Sequence, residues 1–169
     1  MRKLLLILFL FPGYLTMGQA ITKGEFMLEA GALPPFMFNL KAGYALKENA
    51  VAGIFVEHHT LFTESDEIGI FGRKYMNNKR FTFYFHGGIS AGRFDPWLWG
   101  DEDLLLRGRE NSDIQYKAMK FIGGGGINFR LNETLSFGNE ATLGISNYKG
   151  NVFPSLLFTV NYRFPSRNK

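Results

Sequence analysis

The sequence predicts an all-β fold, an eight-stranded antiparallel up-and-down transmembrane β-barrel, on three observations. Apolar and polar residues alternate with period two along most of the chain after residue 20. Eight such segments are each about long enough to cross the apolar layer of an outer membrane. Their connections alternate between tight turns and more varied loops, as in barrels whose turns and loops lie on opposite sides of a membrane.

The length of 169 residues fits one domain. Gly at 20 and Phe at 18 are high for a soluble helical protein. Hydrophobic residues make up 46% of the chain, yet mean hydropathy is only −0.08. Apolar and polar residues must therefore interleave. Cysteine is absent, which excludes a disulfide framework and a thiolate metal site. The net charge of +4 overstates the mature balance: without Arg2 and Lys3, 19 basic residues become 17 against 15 acidic, or +2. The bases form no stripe, so nucleic acid is not an expected partner.

Residues 1–20 read as a cleaved signal peptide, leaving 21–169 as the barrel domain. Met1-Arg2-Lys3 is a positive start, Leu4 to Phe11 an apolar run, and Gly18-Gln19-Ala20 a small-residue cleavage site. The apolar run falls short of the roughly 20 residues that a spanning helix needs. No Cys follows Ala20, which excludes a lipoprotein anchor. Nothing later is apolar enough for a transmembrane helix, so any membrane crossing is made by strands.

The strands are expected near 24–33, 36–46, 50–61, 67–76, 81–92, 116–131, 135–146 and 154–164. In 36–46, Phe36, Phe38, Leu40, Ala42, Tyr44 and Leu46 oppose Met37, Asn39, Lys41, Gly43 and Ala45. In 81–92, Phe81, Phe83, Phe85, Ile89 and Ala91 oppose Thr82, Tyr84, His86, Gly88, Ser90 and Gly92. Leu135, Phe137, Ala141, Leu143 and Ile145 share a face interrupted by Asn139. In the last segment, Leu156, Phe158, Val160, Tyr162 and Phe164 oppose Leu157, Thr159, Asn161 and Arg163.

Lys47-Glu48-Asn49, Asn77-Asn78-Lys79 and Asn132-Glu133-Thr134 are turn-forming triplets. The alternate connections are Leu33-Pro34-Pro35, residues 62–66, residues 94–115 and residues 147–151. An even strand count places both termini on the periplasmic side and the 94–115 loop outside the cell.

Alternation alone does not separate a membrane barrel from a soluble one that buries its apolar face. The polar face does. It carries mostly Gly, Ser and Thr, which suits a narrow, filled interior better than a hydrated surface. The opposite face is rich in Phe, Leu and Ile. Tyr44, Phe81, Phe129, Tyr162 and Phe164 stand near strand ends, as an aromatic girdle requires. Glu29, Glu57 and Glu140 read as interior acids, and Lys41, Arg73, Lys120 and Arg163 as interior bases. Eight strands leave an interior just wide enough for side chains, and charges buried there must pair. A salt-bridge network is expected, with Arg73 to Glu57 or Glu140 at its centre. For Lys120, reaching water at a barrel mouth is an equal alternative.

Ile68-Gly69-Ile70-Phe71-Gly72-Arg73-Lys74-Tyr75 and Gly124-Gly125-Gly126-Ile127-Asn128-Phe129, each followed by a turn, resemble the small porin-like outer membrane protein β-barrel family. The segment Val160-Asn161-Tyr162-Arg163-Phe164 resembles that family's assembly signal, with Pro165 to Lys169 following it. The resemblance spans nearly all of 24–164. It implies outer-membrane lipid and the barrel-assembly machinery, met through the last strand, as partners. It brings no catalytic residue and no cofactor.

Other chemistry finds little support. Gly123 to Gly126 lacks the Lys-Ser/Thr and helix of a phosphate loop, and reads as glycines allowing bending or close packing. His58 and His59 are adjacent and point to opposite faces. His59 and His86 can both point inward, but a strand separates theirs, so no metal site is expected. Ser90 and His86 share a face four residues apart, roughly 13 Å along the strand and too far for nucleophile activation; no enzyme is expected. The 94–115 loop holds both tryptophans, Trp97 and Trp99, with Arg107 and Arg109. These residue types make binding hot spots, so a ligand or partner contact is one reading. Folding over the barrel mouth or dipping into the interface is the other, and the more common for Trp. The expected role is therefore a monomeric structural or contact barrel with a filled interior. The alternative is a small permeability barrel for a hydrophobic or tiny solute.

Overall fold

A computed structural model describes residues 21–60, 64–76, 80–95, 116–147 and 152–164. Eight strands follow in chain order: β1 (Phe26–Leu33), β2 (Met37–Lys47), β3 (Ala50–His59), β4 (Glu64–Tyr75), β5 (Phe81–Asp95), β6 (Tyr116–Arg130), β7 (Leu135–Ser146) and β8 (Val152–Phe164). Each pairs antiparallel with its chain neighbours, and β1 pairs with β8 to close the barrel. Closure satisfies every ladder without leaving an edge, the condition for a sheet in hydrocarbon.

The strand bounds differ from expectation mainly at the long-loop end. β4 starts at Glu64 rather than 67, β5 runs to Asp95 rather than 92, and β8 starts at Val152 rather than 154. β3, in contrast, stops at His59. The register continues through Glu64↔Asp95, Ser65↔Phe94 and Asp66↔Arg93. Backbone hydrogen bonds hold this end together, and its polar side chains carry no apolar period to read. At the other end Asn49 turns the chain between β2 and β3 with φ at 59°, a conformation that Asn tolerates.

Side chains obey the two-residue alternation around the whole barrel. Phe85 is 63% exposed, while Arg73 on the neighbouring strand is 2% exposed. The outward face carries Ile54, Ile68, Ile70, Phe83, Phe121, Leu143 and Phe158, all exposed. The inward face carries Glu29, Asn39, Lys41, Glu140, Thr159 and Asn161, all buried. An apolar surface of this extent would be a liability in water; facing lipid, it is the ordinary outside of a membrane barrel. Within the barrel, Met27, Val51, Phe55, Phe71, Tyr75 and Tyr84 pack into an apolar cluster with Ile21.

Candidate functional site

The interior is the best-defined site, and strand parity builds it. Glu29 on β1 lies opposite Lys41 on β2, and Lys41 Nζ is 3.0 Å from Glu29. Arg73 of β4 donates through Nη1 to Glu29 Oε2 at 2.5 Å and through Nη2 to Oε1 at 2.8 Å. Its Nη2 also reaches Glu140 Oε2 of β7 at 2.6 Å. Lys41 completes the group by bonding Glu140. Two acids and two bases thus tie four strands in one neutral, buried cluster. Such pairing is what makes charge tolerable away from water.

Tyr84 enters the same cluster across a glycine. It faces Gly126 of β6, which in turn faces Glu140 of β7. A Cβ built at Gly126 would lie 2.5 Å from Tyr84 Cζ. With no side chain there, the tyrosine ring lies across β6 and its hydroxyl donates to Glu140 at 3.0 Å. The Arg73 guanidinium sits 4.1 Å from the centre of that ring.

A second group lies toward the long-loop end. Lys120 of β6 bonds Glu67 at 2.6 Å and lies 3.5 Å from Glu57. Asn39 donates to Glu57 at 2.6 Å, and Ser90 to Glu67 at 2.6 Å. Gly144 of β7 leaves room for the Lys120 stem, whose Cγ would lie 2.8 Å from a Cβ there. At the opposite end Arg163 lies 3.8 Å from Glu25. The space among Tyr75, Asn128, Arg130, Asn161 and Arg163 is about 10 Å³, room for one water at most.

The seven charged residues named from sequence all lie inside, but in three groups rather than one. The expectation of Arg73 with Glu57 is corrected: Glu57 sits by Asn39 and Lys120, while Arg73 takes Glu29 and Glu140. Position along the axis decides this, because Glu57 pairs with Glu67 near the long-loop end of β4, six residues from Arg73. Lys120 is 4% exposed, so its water-reaching alternative does not hold. Glu67, Tyr84, Glu25 and Arg130 were missed. Glu67 shares parity with Arg73, the signal that would have found it.

The remaining candidates separate cleanly. His59 and His86 point inward and His58 outward. His86 stacks on Phe71 at 5.5 Å, while Ser90 is committed to Glu67. Among the described residues no His, Asp and Glu group converges as a metal set. Tyr44, Phe81, Tyr162 and Phe164 face outward and exposed, with Phe129 partly covered. All five lie at the short-turn end, where Phe81 meets Phe129 at 4.8 Å and Phe26 meets Phe164 at 5.7 Å. Trp97, Trp99, Arg107 and Arg109 lie outside the described residues, as does the leader 1–20.

A closed antiparallel barrel with an apolar outside and an ion-paired inside is a transmembrane β-barrel of the outer-membrane type. A known structure shares the fold. The N-terminal β-barrel domain of Pseudomonas aeruginosa OprF matches at TM-score 0.61 and 12% identity, covering 86% of this chain and 100% of that one. The Yersinia pestis outer membrane protein Ail matches at TM-score 0.46 and 14% identity, covering 84% of this chain and 100% of that one. At that score Ail adds nothing to the assignment. No protein-family model matches the sequence, and a comparison with curated proteins finds no match. The fold is thus that of the small outer-membrane β-barrels, and the outward surface suits that membrane.

Proposed function

We propose that the protein is exported behind the cleaved leader 1–20 and assembled into the outer membrane as a monomer, its last strand serving as the assembly signal. Its interior conducts no solute, and its work is done by the outer loops, chiefly 94–115 with Trp97, Trp99, Arg107 and Arg109. The girdle at Tyr44, Phe81, Phe129, Tyr162 and Phe164 anchors the periplasmic side. The observation that supports a closed interior is Arg73 joined to Glu29 and Glu140, with Tyr84 and Lys41 on the same acids. That crossbrace occupies the middle of a barrel whose strand number leaves little spare width.

Planar-bilayer recording tests it. The purified barrel should give no steady unitary conductance. Reproducible unitary steps would reject the closed interior and favour a permeability barrel for a small solute. Deleting 97–114 should leave the heat-modifiable gel mobility of the barrel intact, as expected of a segment that serves contact rather than folding.

A further inference from the structure

At the short-turn mouth the chain before β1 folds back into the barrel. Ile21 packs with Met27, Tyr75 and Tyr84 in the interior cluster. Its carbonyl accepts the Asn49 amide at 3.0 Å. Gly24, at φ 91°, turns the chain, a conformation that glycine takes without steric cost. The Gly24 amide donates to the Ala45 carbonyl at 2.9 Å, and the Ala45 amide donates to the Glu25 carbonyl at 2.9 Å. The Thr22 hydroxyl donates to the Glu25 carboxylate at 2.7 Å. Residues 21–25 are thus a strap tied to β2 and to the turn after it.

Ile21 covers the space of about 10 Å³ that β1, β4, β5, β6, β7 and β8 also line. Arg130 and Asn161 border that space. Arg130 Nη1 and Asn161 Oδ1 are both buried and have no hydrogen-bond partner among the described residues. The Asn161 Nδ2 faces Asn128 and Thr159 at 3.5 Å each, which aims Oδ1 the other way. The Glu25 carboxylate lies 3.8 Å from Arg163 and so serves that guanidinium. A buried donor or acceptor left unmet carries its full desolvation cost. One of these two atoms donates and the other accepts. Water can serve both at once, whereas an anion can serve only the donor. A water needs about 10–15 Å³ and two to four polar partners, which matches the size and the chemistry of this space.

We infer that one water is bound in the short-turn mouth, accepting from Arg130 Nη1 and donating to Asn161 Oδ1, and that Ile21 seals it in. The water joins β6 to β8 past the intervening β7. The strap closes the interior a second time, apart from the Arg73 crossbrace, and does so whatever the outer loops contact.

Two measurements test this. A crystal structure of the purified barrel, at a resolution that shows ordered water, should place one density peak within hydrogen-bond distance of both Arg130 Nη1 and Asn161 Oδ1. Direct contact between the two side chains, or no density between them, overturns the inference. An anomalous peak at that position after a bromide soak overturns the water in favour of an anion. The seal is read by thiol labelling of Ser136→Cys, at a buried position bordering the same space. Methyl methanethiosulfonate and intact-mass measurement report the modification. With the strap in place the thiol should stay unlabelled. Removing residues 21–24 from the same variant should make it label fully, while the heat-modifiable band shows that the barrel persists. Labelling in both forms, or protection in both, overturns the seal. Should the shortened chain lose the band, Ile21→Ala keeps the strap's backbone bonds and should label faster than the parent; an unchanged rate overturns the seal.

Discussion

Arg73 holds Glu29 by two parallel hydrogen bonds, of 2.5 and 2.8 Å, from opposite sides of the two strands that separate β4 from β1. The side chain of Arg73 therefore crosses the barrel rather than running along its wall. Glu140, reached at 2.6 Å, extends the crossing to β7. The consequences for stability follow from what each partner is left with when another is removed.

Arg73→Met leaves Glu29 and Glu140 with one cation, Lys41, between them. The expected loss is about 3–5 kcal/mol, the usual cost of breaking a buried pair from one side. Adding Glu29→Gln restores neutrality around Lys41 and Glu140, so the double variant should recover most of the loss. Guanidinium unfolding of the barrel in detergent, followed by gel mobility, measures both. Equal stability of single and double variants would count against charge balance as the cause.

Tyr84→Phe removes a hydrogen bond to the Glu140 carboxylate and keeps the ring over Gly126. It should cost about 1.5–3 kcal/mol, the range for a bond to a charged group. Gly126→Val should cost more than Tyr84→Phe, because the new side chain occupies the place of the ring. The same unfolding assay ranks the two, and the reverse order would show that the ring does not depend on that glycine.

The outward wall should respond to charge according to depth. Ile70→Arg, halfway along β4 and exposed, should destabilise the bilayer-embedded barrel by about 2–4 kcal/mol. Phe81→Arg, at the rim, should cost about 0–1 kcal/mol. Refolding into lipid vesicles over a denaturant series gives both values. Similar costs at the two positions would place the apolar band elsewhere.

Ile21 is buried at 3% within the short-turn end, and its carbonyl accepts the Asn49 amide at 3.0 Å. The proposed cleavage after Ala20 would make this residue the first of the mature chain. Intact-mass measurement of protein extracted from membranes should give a chain starting at Ile21. A retained leader, or a start beyond Glu25, would contradict the proposed processing.

Strand count, parity and the inversion of faces were legible in the residues themselves. A side-chain period of two says which residues share a face, and the Gly, Ser and Thr that predominate on the polar face, with few bulky charges, say which one is enclosed. Phe81-Thr82-Phe83-Tyr84-Phe85-His86 reads this way at sight, and its side chains alternate out and in as written. The ends of β4 and β5 were not legible, because Glu64 to Asp66 and Arg93 to Asp95 carry no apolar alternation. Their pairing is made by the backbone, which every sequence possesses.

The partners inside the barrel were decided only by the tertiary structure. Parity places Arg73, Glu29, Glu57 and Glu140 in one interior but says nothing of their height along the axis. Height depends on how far each strand is staggered against the next, summed around a closed sheet. The register sets Glu57 against Glu67 and brings Glu29 and Glu140, on the two strands that flank β8, to Arg73 from across the barrel. Thus the sequence by itself determined the fold class and seven of the enclosed charges, without Glu25, Glu67 and Arg130. Closure determined which of them meet, because side chains from strands distant in the chain share space only once the cylinder is shut.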